Sequence, residues 1–275
     1  MKKSIFSSGP LKWGISTLGC PEKTLGEAVE IADEFGFRFV EIRAISNSVK
    51  LHETLAEPGN RAVLEKLAAA KRVLVLGSSF GIASPDQALR EEMGVQAKIA
   101  DALAIPYIRV FGGCKPEMPV AGAVLEQVRE NLAWFDALGL KHTKMALETH
   151  DGFSSAARCA ELFDRLGMRL PVIWDAHHTW RHAHEPMAEA WRLLKETVVD
   201  VHFKDSTFPE GAPKVHAELP GEGDLPLKEL FQMLAAEGFT GPVTLEYERM
   251  WHPYLPELRV ALAATEKVVR AAFPA

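Results

Sequence analysis

Cysteine is scarce in this chain, and the few cysteines present form no recognisable framework. Cys20, Cys114 and Cys159 are odd in number among 275 residues, lie far apart and never form a CxxC pair. A disulfide-stabilised fold and a thiolate zinc site are therefore not expected. A reducing, cytoplasmic location fits this cysteine usage best.

Long apolar runs are also missing. No stretch reaches the roughly 20 consecutive apolar residues that a membrane span requires. The first residues include Lys2 and Lys3, but the apolar segment of a signal peptide does not follow them. We therefore expect a soluble, unprocessed protein without a membrane partner.

The chain lacks an excess of positive charge and the common nucleotide-binding motifs. Its formal net charge is −6, which argues against a broad nucleic-acid interface. A complete glycine-rich dinucleotide fingerprint, a P-loop and a GxSxG elbow are all absent. Cofactor oxidoreduction, nucleotide hydrolysis and serine esterase chemistry are thus not supported.

What the sequence does contain is an alternation of strand-like and helix-like segments from end to end. The predicted strands lie near Lys12–Ser16, Phe39–Arg43, Arg72–Gly77, Tyr107–Phe111, Lys144–Glu148, Val172–Asp175, Asp200–Phe203 and Val243–Glu246. The predicted helices lie near 24–35, 60–70, 86–103, 121–138, 154–166, 186–196, 226–237 and 255–272. Eight βα units predict a single (β/α)8 TIM barrel over residues 1–275, with an open doubly wound sheet as the alternative.

Local signals support these boundaries. Thr24 and Glu27 have the spacing of a capping box at a helix start. Glycines that suit left-handed helix ends follow four of the predicted helices, at Gly36, Gly139, Gly167 and Gly238. One connection is unusually long: residues 204–226 are rich in proline and glycine and predict a structureless, functional loop over the proposed site.

Four predicted strands end in metal-ligand or acid/base residues. Glu148, Asp175, His202 and Glu246 each lie at the carboxyl end of a different strand. Such ends meet at one rim of a parallel barrel, so these groups could converge on one divalent cation. Three carboxylates and an imidazole suit manganese, magnesium or cobalt, and zinc is compatible. We take manganese as the first expectation.

Several further polar residues lie beside these ligands. Because strand side chains alternate between faces, His150 should point the same way as Glu148, and Lys204 the same way as His202. Glu41 ends the second strand and is a candidate pocket carboxylate. His177 is expected at the surface or behind the ligands, and His182 and His252 at the surface.

The chain resembles, along nearly its whole length and most specifically from Leu147 to Glu248, the xylose-isomerase-like barrels, which include sugar epimerases, hydroxypyruvate isomerase, inosose dehydratases and endonuclease IV. The resemblance rests on Leu147-Glu148, on Asp175 with His178 three residues later, and on the motifs Val201–Asp205, Gly221–Asp224 and Leu245-Glu246. It implies that Glu148, Asp175, His202 and Glu246 are the metal ligands. It further implies that His178 contacts the substrate.

The resemblance also implies a reaction. Glu148 and Glu246 would be the catalytic acid/base pair that moves a proton α to a carbonyl through a metal-stabilised enediolate. The substrate would be a small ketose, polyol-derived ketone or hydroxy-keto acid, with His150, Lys204 and Glu41 as further contacts. Relatives that pair into dimers or tetramers make a homo-oligomer an expectation as well.

Two other activities are compatible with this family. A metal-dependent dehydratase of the inosose or dehydroshikimate type would use the same ligands. An endonuclease IV-like DNA phosphodiesterase would need extra histidines after the third and fourth strands, where the chain reads Leu76–Phe80 and Val110–Cys114 without a histidine. We therefore expect a small-molecule enzyme of carbohydrate metabolism and no nucleic-acid partner.

Overall fold

A computed structural model describes residues 4–209 and 215–274, and its dominant feature is a parallel β-sheet curled into a barrel. The strands are β1 (Lys12–Ser16), β2 (Phe39–Glu41), β3 (Val75–Gly81), β4 (Tyr107–Phe111), β5 (Lys144–Glu148), β6 (Val172–Asp175), β7 (Val198–Phe203), β8 (Asp205–Thr207), β9 (His216–Glu218) and β10 (Pro242–Leu245). The barrel strands pair in the order β2-β1-β10-β7-β6-β5-β4-β3.

The barrel closes between β2 and β3. Ile42, just past the end of β2, bridges in parallel to Leu76 of β3. The Gly77 amide donates a hydrogen bond of 2.8 Å to the Ile42 carbonyl, and the Ile42 amide donates one of 3.3 Å to Val75. The predicted α/β TIM barrel is therefore confirmed, and the open doubly wound alternative is wrong.

Helices cover the outside of the barrel. They are α1 (Ile5–Ser8), α2 (Leu25–Phe35), α3 (Leu51–Thr54), α4 (Pro58–Ala69), α5 (Gln87–Ala102), α6 (Ala123–Asp136), α7 (Ala156–Leu166), α8 (Met187–Leu194), α9 (Leu227–Ala236) and α10 (Leu258–Ala272). Among the described residues, no helix combines the length and the apolarity needed to cross a bilayer.

The sequence signals at the helix ends are present in the structure. Thr24 and Glu27 form the predicted capping box, in which each side chain accepts a hydrogen bond from the other residue's backbone N–H. Gly36 and Gly167 end α2 and α7 with φ of 85° and 68°. Only glycine adopts such left-handed conformations without a steric cost, which explains the choice of residue.

The barrel interior is apolar at one end and polar at the other. A small buried cluster of Val75, Ala146 and Ile173 fills the layer near the strand starts. Moving two residues along β5 and β6 replaces Ala146 and Ile173 with Glu148 and Asp175, which are also buried. The two-residue alternation of a strand thus keeps the ionisable groups on the inner face. The layer below them is apolar except for the buried Asp200, which pairs in register with Ile173 and accepts a hydrogen bond of 2.8 Å from Thr244.

The long connection after β7 is partly structured, contrary to the prediction of a structureless loop. Within its described part, β8 and β9 form an antiparallel hairpin. The Asp205 carboxylate accepts backbone hydrogen bonds from Gly221, Gly223 and Leu225 at 2.8–3.1 Å and so anchors the returning chain. A side chain at Gly223 would overlap that carboxylate, which accounts for the glycine. Residues 210–214 of the predicted loop lie outside the described residues.

Removal of the Thr24 cap should measurably weaken the fold. We expect Thr24→Ala to lower the free energy of unfolding by about 1 kcal/mol, because the Glu27 amide loses its side-chain acceptor. Urea unfolding followed by circular dichroism would measure the change. The matched control is Thr240→Ala at another exposed threonine, where an effect within about 0.5 kcal/mol is expected. Equal losses in both variants would contradict the role of the cap.

Candidate active site

The four predicted ligands converge inside the barrel. One ligand atom from each of Glu148, Asp175, His202 and Glu246 lies within 4.8 Å of the others. These residues are contributed by β5, β6, β7 and the residue after β10, which are consecutive neighbours in the sheet. All four side chains are buried. Sequence spacing alone correctly indicated that these groups meet.

Glu41 orients the His202 ring. The Nε2 atom of His202 lies 2.7 Å from Glu41 Oε2, and Glu41 also accepts a hydrogen bond of 3.1 Å from the Ser16 hydroxyl. The other ring nitrogen, Nδ1, therefore faces Glu148 Oε1 at 3.5 Å and Glu246 Oε1 at 3.6 Å. Glu41 was predicted to contact the substrate, whereas these contacts place it behind the imidazole, where a carboxylate commonly supports a metal-binding histidine.

Unpartnered buried atoms show that the site fits a cation. Both carboxylate oxygens of Glu148 and the Nδ1 of His202 are buried and have no hydrogen-bond partner among the described residues. Arg109 Nη1 lies 2.9 Å from Glu148 Oε2, so this ion pair neutralises part of the carboxylate charge. The two groups are not oriented for a hydrogen bond. Buried acceptors without partners are costly, and a divalent ion ligated by three oxygens and one nitrogen would satisfy them.

Lys204 inserts its ammonium group into the same cluster. Its Nζ atom lies 2.7 Å from Asp175 Oδ2, 2.7 Å from Glu246 Oε2 and 3.2 Å from Glu248 Oε1. Lys204 is thus a positive charge held at the rim of the ligand set, on the side of the open cavity. It occupies oxygens of two ligands that a bound cation would also attract.

The pKa values of these groups follow from burial and from their neighbours. Burial raises the pKa of Asp175 to about 6, although Lys204 opposes the shift. Burial also disfavours the charge on Glu246, but Lys204 and His202 outweigh it and hold the pKa of Glu246 well below its usual range. The surrounding carboxylates likewise overcome burial and hold the pKa of Lys204 well above its usual range. In this cluster the lysine is therefore a cation.

A cavity of about 450 Å³ opens directly above Lys204. This volume lies within the range of roughly 300–1,000 Å³ that is usual for small-molecule sites. The hairpin of β8 and β9, the turn after β6 and the segment after β10 supply its walls, which include His177, His178, His182, Ser206, Ala217, Tyr247, Glu248, His252 and Leu255. His182 and His252, expected at the surface, thus face the cavity.

His178 lies between the ligand cluster and the cavity. Its backbone N–H donates a hydrogen bond of 2.9 Å to Asp175 Oδ1, and its Nδ1 lies 2.9 Å from the Thr149 carbonyl oxygen. His150 lies beside it, with ring centroids 4.6 Å apart and its own Nδ1 2.7 Å from Asp151 Oδ1. Both predicted contact residues are thus placed next to the ligand set.

Three residues make contacts at the site that the sequence alone did not predict. Arg109 was expected in the polar layer of the barrel, but its partner Glu148 could not be identified from one sequence. Glu248 contacts Lys204, which was suggested only by its two-residue spacing from Glu246. His177 is buried and lines the cavity. Nothing in its neighbouring residues distinguishes it from a surface histidine.

The chain belongs to the xylose isomerase-like TIM barrel family, whose model matches residues 29–269. The predicted resemblance is therefore confirmed. No curated protein sequence matches the chain significantly.

Solved structures with the same fold share little sequence with this chain. The probable 3-DHS dehydratase AsbF from Bacillus anthracis has a TM-score of 0.74 at 15% identity, covering 94% of this chain and 98% of its own. An IOLI protein solved with a zinc atom has a TM-score of 0.70 at 18% identity, covering 96% and 100%. The 3-keto-D-glucoside 4-epimerase YcjR from E. coli has a TM-score of 0.64 at 16% identity, covering 92% and 98%. At these identities the likeness concerns the fold.

We predict that Glu41→Gln weakens divalent metal binding about tenfold or more, because the neutral amide supports the His202 ring less well than a carboxylate does. Calorimetric titration of chelator-treated protein with Mn²⁺ would measure the affinity. Glu34→Gln, at an exposed glutamate paired with Arg259, is the matched control and should leave the affinity unchanged. An unchanged affinity in the Glu41 variant would contradict the supporting role.

Lys204→Met should make the metal-free protein less stable and its response to metal larger. Loss of the ammonium leaves the buried Asp175 Oδ2 and Glu246 Oε2 atoms without their cationic partner, which costs about 3–5 kcal/mol. Mn²⁺ should then raise the melting temperature of this variant more than that of the wild type, because the lysine no longer competes for the oxygens.

The control for this lysine is Lys195→Met. Lys195 forms an exposed ion pair of 3.1 Å with Glu237, and its loss should cost less than about 1 kcal/mol. Thermal unfolding with and without Mn²⁺ would compare both variants. Equal destabilisation of the two would show that Lys204 does not hold the buried carboxylates together.

Proposed function

We propose that this protein is a divalent-metal-dependent isomerase or epimerase that moves a proton α to a carbonyl. The substrate is a small ketose, polyol-derived ketone or hydroxy-keto acid. The observation that carries the proposal is the placement of Glu148 and Glu246. They come from the two outer strands of a four-strand arc, and both approach the same Nδ1 atom of His202.

Glu148, Asp175, His202 and Glu246 would hold the metal ion, with Mn²⁺ as the first expectation and Mg²⁺, Co²⁺ or Zn²⁺ as alternatives. When bound, the ion would supply a positive charge that acidifies the C–H group next to a carbonyl and stabilises the negative oxygen formed on deprotonation. The unpartnered oxygens of Glu148 and the unpartnered Nδ1 of His202 support this assignment.

The two glutamates would exchange the proton. One carboxylate oxygen takes the proton from carbon, and the electron pair of the C–H bond becomes the C=C bond of an enediolate. The other glutamate, on the opposite side of the ligand set, returns a proton to the other face of that carbon, which inverts its configuration. Return of a proton to the neighbouring carbon, with transfer of the hydroxyl proton from one oxygen to the other, instead moves the carbonyl group and gives isomerisation.

The remaining residues would bind the substrate and exclude water. His178 and Lys204 lie between the carboxylates and the cavity. Lys204 can donate a hydrogen bond to a substrate oxygen, whereas His178, whose Nδ1–H is used by the Thr149 carbonyl, can accept one from a substrate hydroxyl at Nε2. The ammonium of Lys204 would offset negative charge that develops on the substrate. Glu41 is assigned to positioning His202, and it does not need to contact the substrate for this mechanism.

Dehydration is the second candidate reaction, and the position of His150 favours it. Its ring lies next to His178 and its Nδ1 lies 2.7 Å from Asp151. A carboxylate-paired imidazole beside His178 could protonate a departing β-hydroxyl, which leaves as water when the enediolate electrons form the new double bond. An inosose or dehydroshikimate-type ketone would be the matching substrate class.

Replacement of either glutamate should abolish proton exchange. We predict that Glu148→Gln and Glu246→Gln reduce solvent-deuterium incorporation into the substrate at least about a hundredfold, because the amide cannot accept the carbon-bound proton. Ketoses, inososes and hydroxypyruvate would be screened in D2O by NMR and mass spectrometry at saturating Mn²⁺. Circular dichroism would verify the fold, and Glu34→Gln is the control.

The same experiment separates the two candidate reactions. A product whose mass differs from that of the substrate only by incorporated deuterium supports epimerisation or isomerisation. Loss of one water molecule (~18 Da) together with a new conjugated chromophore supports dehydration. Undiminished exchange in either glutamine variant would remove that residue from the proton transfer.

A further inference from the structure

Three histidines line one wall of the cavity outside the ligand set described above. His177, His178 and His182 each offer a ring nitrogen, and the three nitrogens lie within 4.8 Å of one another. They belong to the turn that directly follows β6, and this turn forms a short π-helix from His178 to His182. His177 and His178 are buried, whereas His182 is exposed to the cavity side.

Two of these rings are already held by one nitrogen each. His178 Nδ1 lies 2.9 Å from the Thr149 carbonyl oxygen, which leaves its Nε2 free. His177 Nε2 lies 2.6 Å from the Ser206 hydroxyl, which leaves its Nδ1 free. Metal-binding histidines usually use one ring nitrogen for the ion and the other for a carbonyl, carboxylate or hydroxyl.

The free nitrogen of His177 is itself a signal. His177 Nδ1 is buried and has no hydrogen-bond partner among the described residues. The residue as a whole is only 4% exposed. A buried polar atom without a partner is uncommon in native proteins and points to a missing ligand. The adjacent imidazoles of His178 and His182 make that ligand a cation.

Two cations lie near this cluster, and acceptors outside the cluster hold each of them. The Arg181 guanidinium donates to Asp224 at 2.8 Å and to the Ser206 carbonyl at 3.0 Å. The Lys204 ammonium is bound to Asp175 and Glu246. Both positive groups thus have their own acceptors, and neither contributes a hydrogen bond to the three imidazoles.

We propose that His177, His178 and His182 form a second metal site that takes a first-row transition-metal ion with a preference for imidazole, zinc foremost. Three histidines and one position open to the cavity are the ligand set of a catalytic rather than a structural zinc site. Tetrahedral zinc would bring the nitrogens to about 3.3 Å from one another, and the exposed His182 has room for that movement.

This site differs chemically from the oxygen-rich centre. Three carboxylates and one imidazole suit Mn²⁺, whereas three neutral imidazoles suit Zn²⁺, Co²⁺ or Cu²⁺. The two are adjacent, because the His178 backbone N–H donates to Asp175 Oδ1. An ion at the histidines would face the cavity and could bind an oxygen of a molecule held there. The proposal does not depend on the reaction proposed above, but an ion bound to His178 Nε2 would replace the direct contact of this ring with the substrate.

The test compares two asparagine variants of the full chain. His182→Asn removes the exposed ligand, and His184→Asn is the matched control two residues away. His184 is also exposed and has φ of 55°, a conformation that asparagine tolerates. Chelator-treated proteins would be dialysed against Zn²⁺ and their metal content measured, and Co²⁺ absorption spectra would report the ligand geometry.

We expect the wild type and His184→Asn to bind one zinc ion per chain more than His182→Asn does. The intense visible absorption of Co²⁺ at a three-histidine site should disappear only in His182→Asn, and the affinity for Mn²⁺ should be unchanged there. A zinc content that does not fall by one ion per chain from the wild type to His182→Asn, or that falls equally in His184→Asn, would overturn the proposal. A parallel loss of Mn²⁺ affinity in His182→Asn would overturn the separation of the two sites.

Discussion

The concentration of negative charge inside one end of the barrel is the constraint on which the rest of the site depends. Glu148, Asp175 and Glu246 are buried within a few ångströms of one another, where water does not screen their repulsion. Arg109 and Lys204 compensate part of this charge. The remaining unpartnered oxygens are the reason that the cluster is suited to a divalent cation.

The barrel geometry that brings these side chains together does not depend on which residues lie at the strand ends. Parallel strands end at the same rim, and every second residue faces inward, so single residues on four neighbouring strands reach a common point. Closure between β2 and β3 then brings Glu41 into the interior beside His202, a residue 161 positions away in the chain. The support for the imidazole thus depends on the barrel being closed.

The cavity wall is built by different means. The hairpin of β8 and β9 and the turn after β6 leave the barrel and are held by local polar contacts, with Asp205 as the anchor of the returning segment. The hairpin lies outside the regular βα repeat, whereas the turn after β6 also contacts the ligand set, because the His178 backbone N–H donates to Asp175 Oδ1. Loops and turns held by a rigid barrel are where the selectivity of a binding site is commonly determined.

The sequence by itself determined the strands, most helix ends and the four convergent ligands, because strand alternation, caps and apolar runs act over a few residues. It did not reveal the hairpin after β7, since Asp205 makes contacts 16 to 20 residues away. The positions of Glu41 behind His202, of Lys204 between two ligands and of His177 beside the cavity were decided only by the tertiary structure. Those relations join residues from different strands and turns, and one strand's pattern contains no information about the side chains that face it across the barrel.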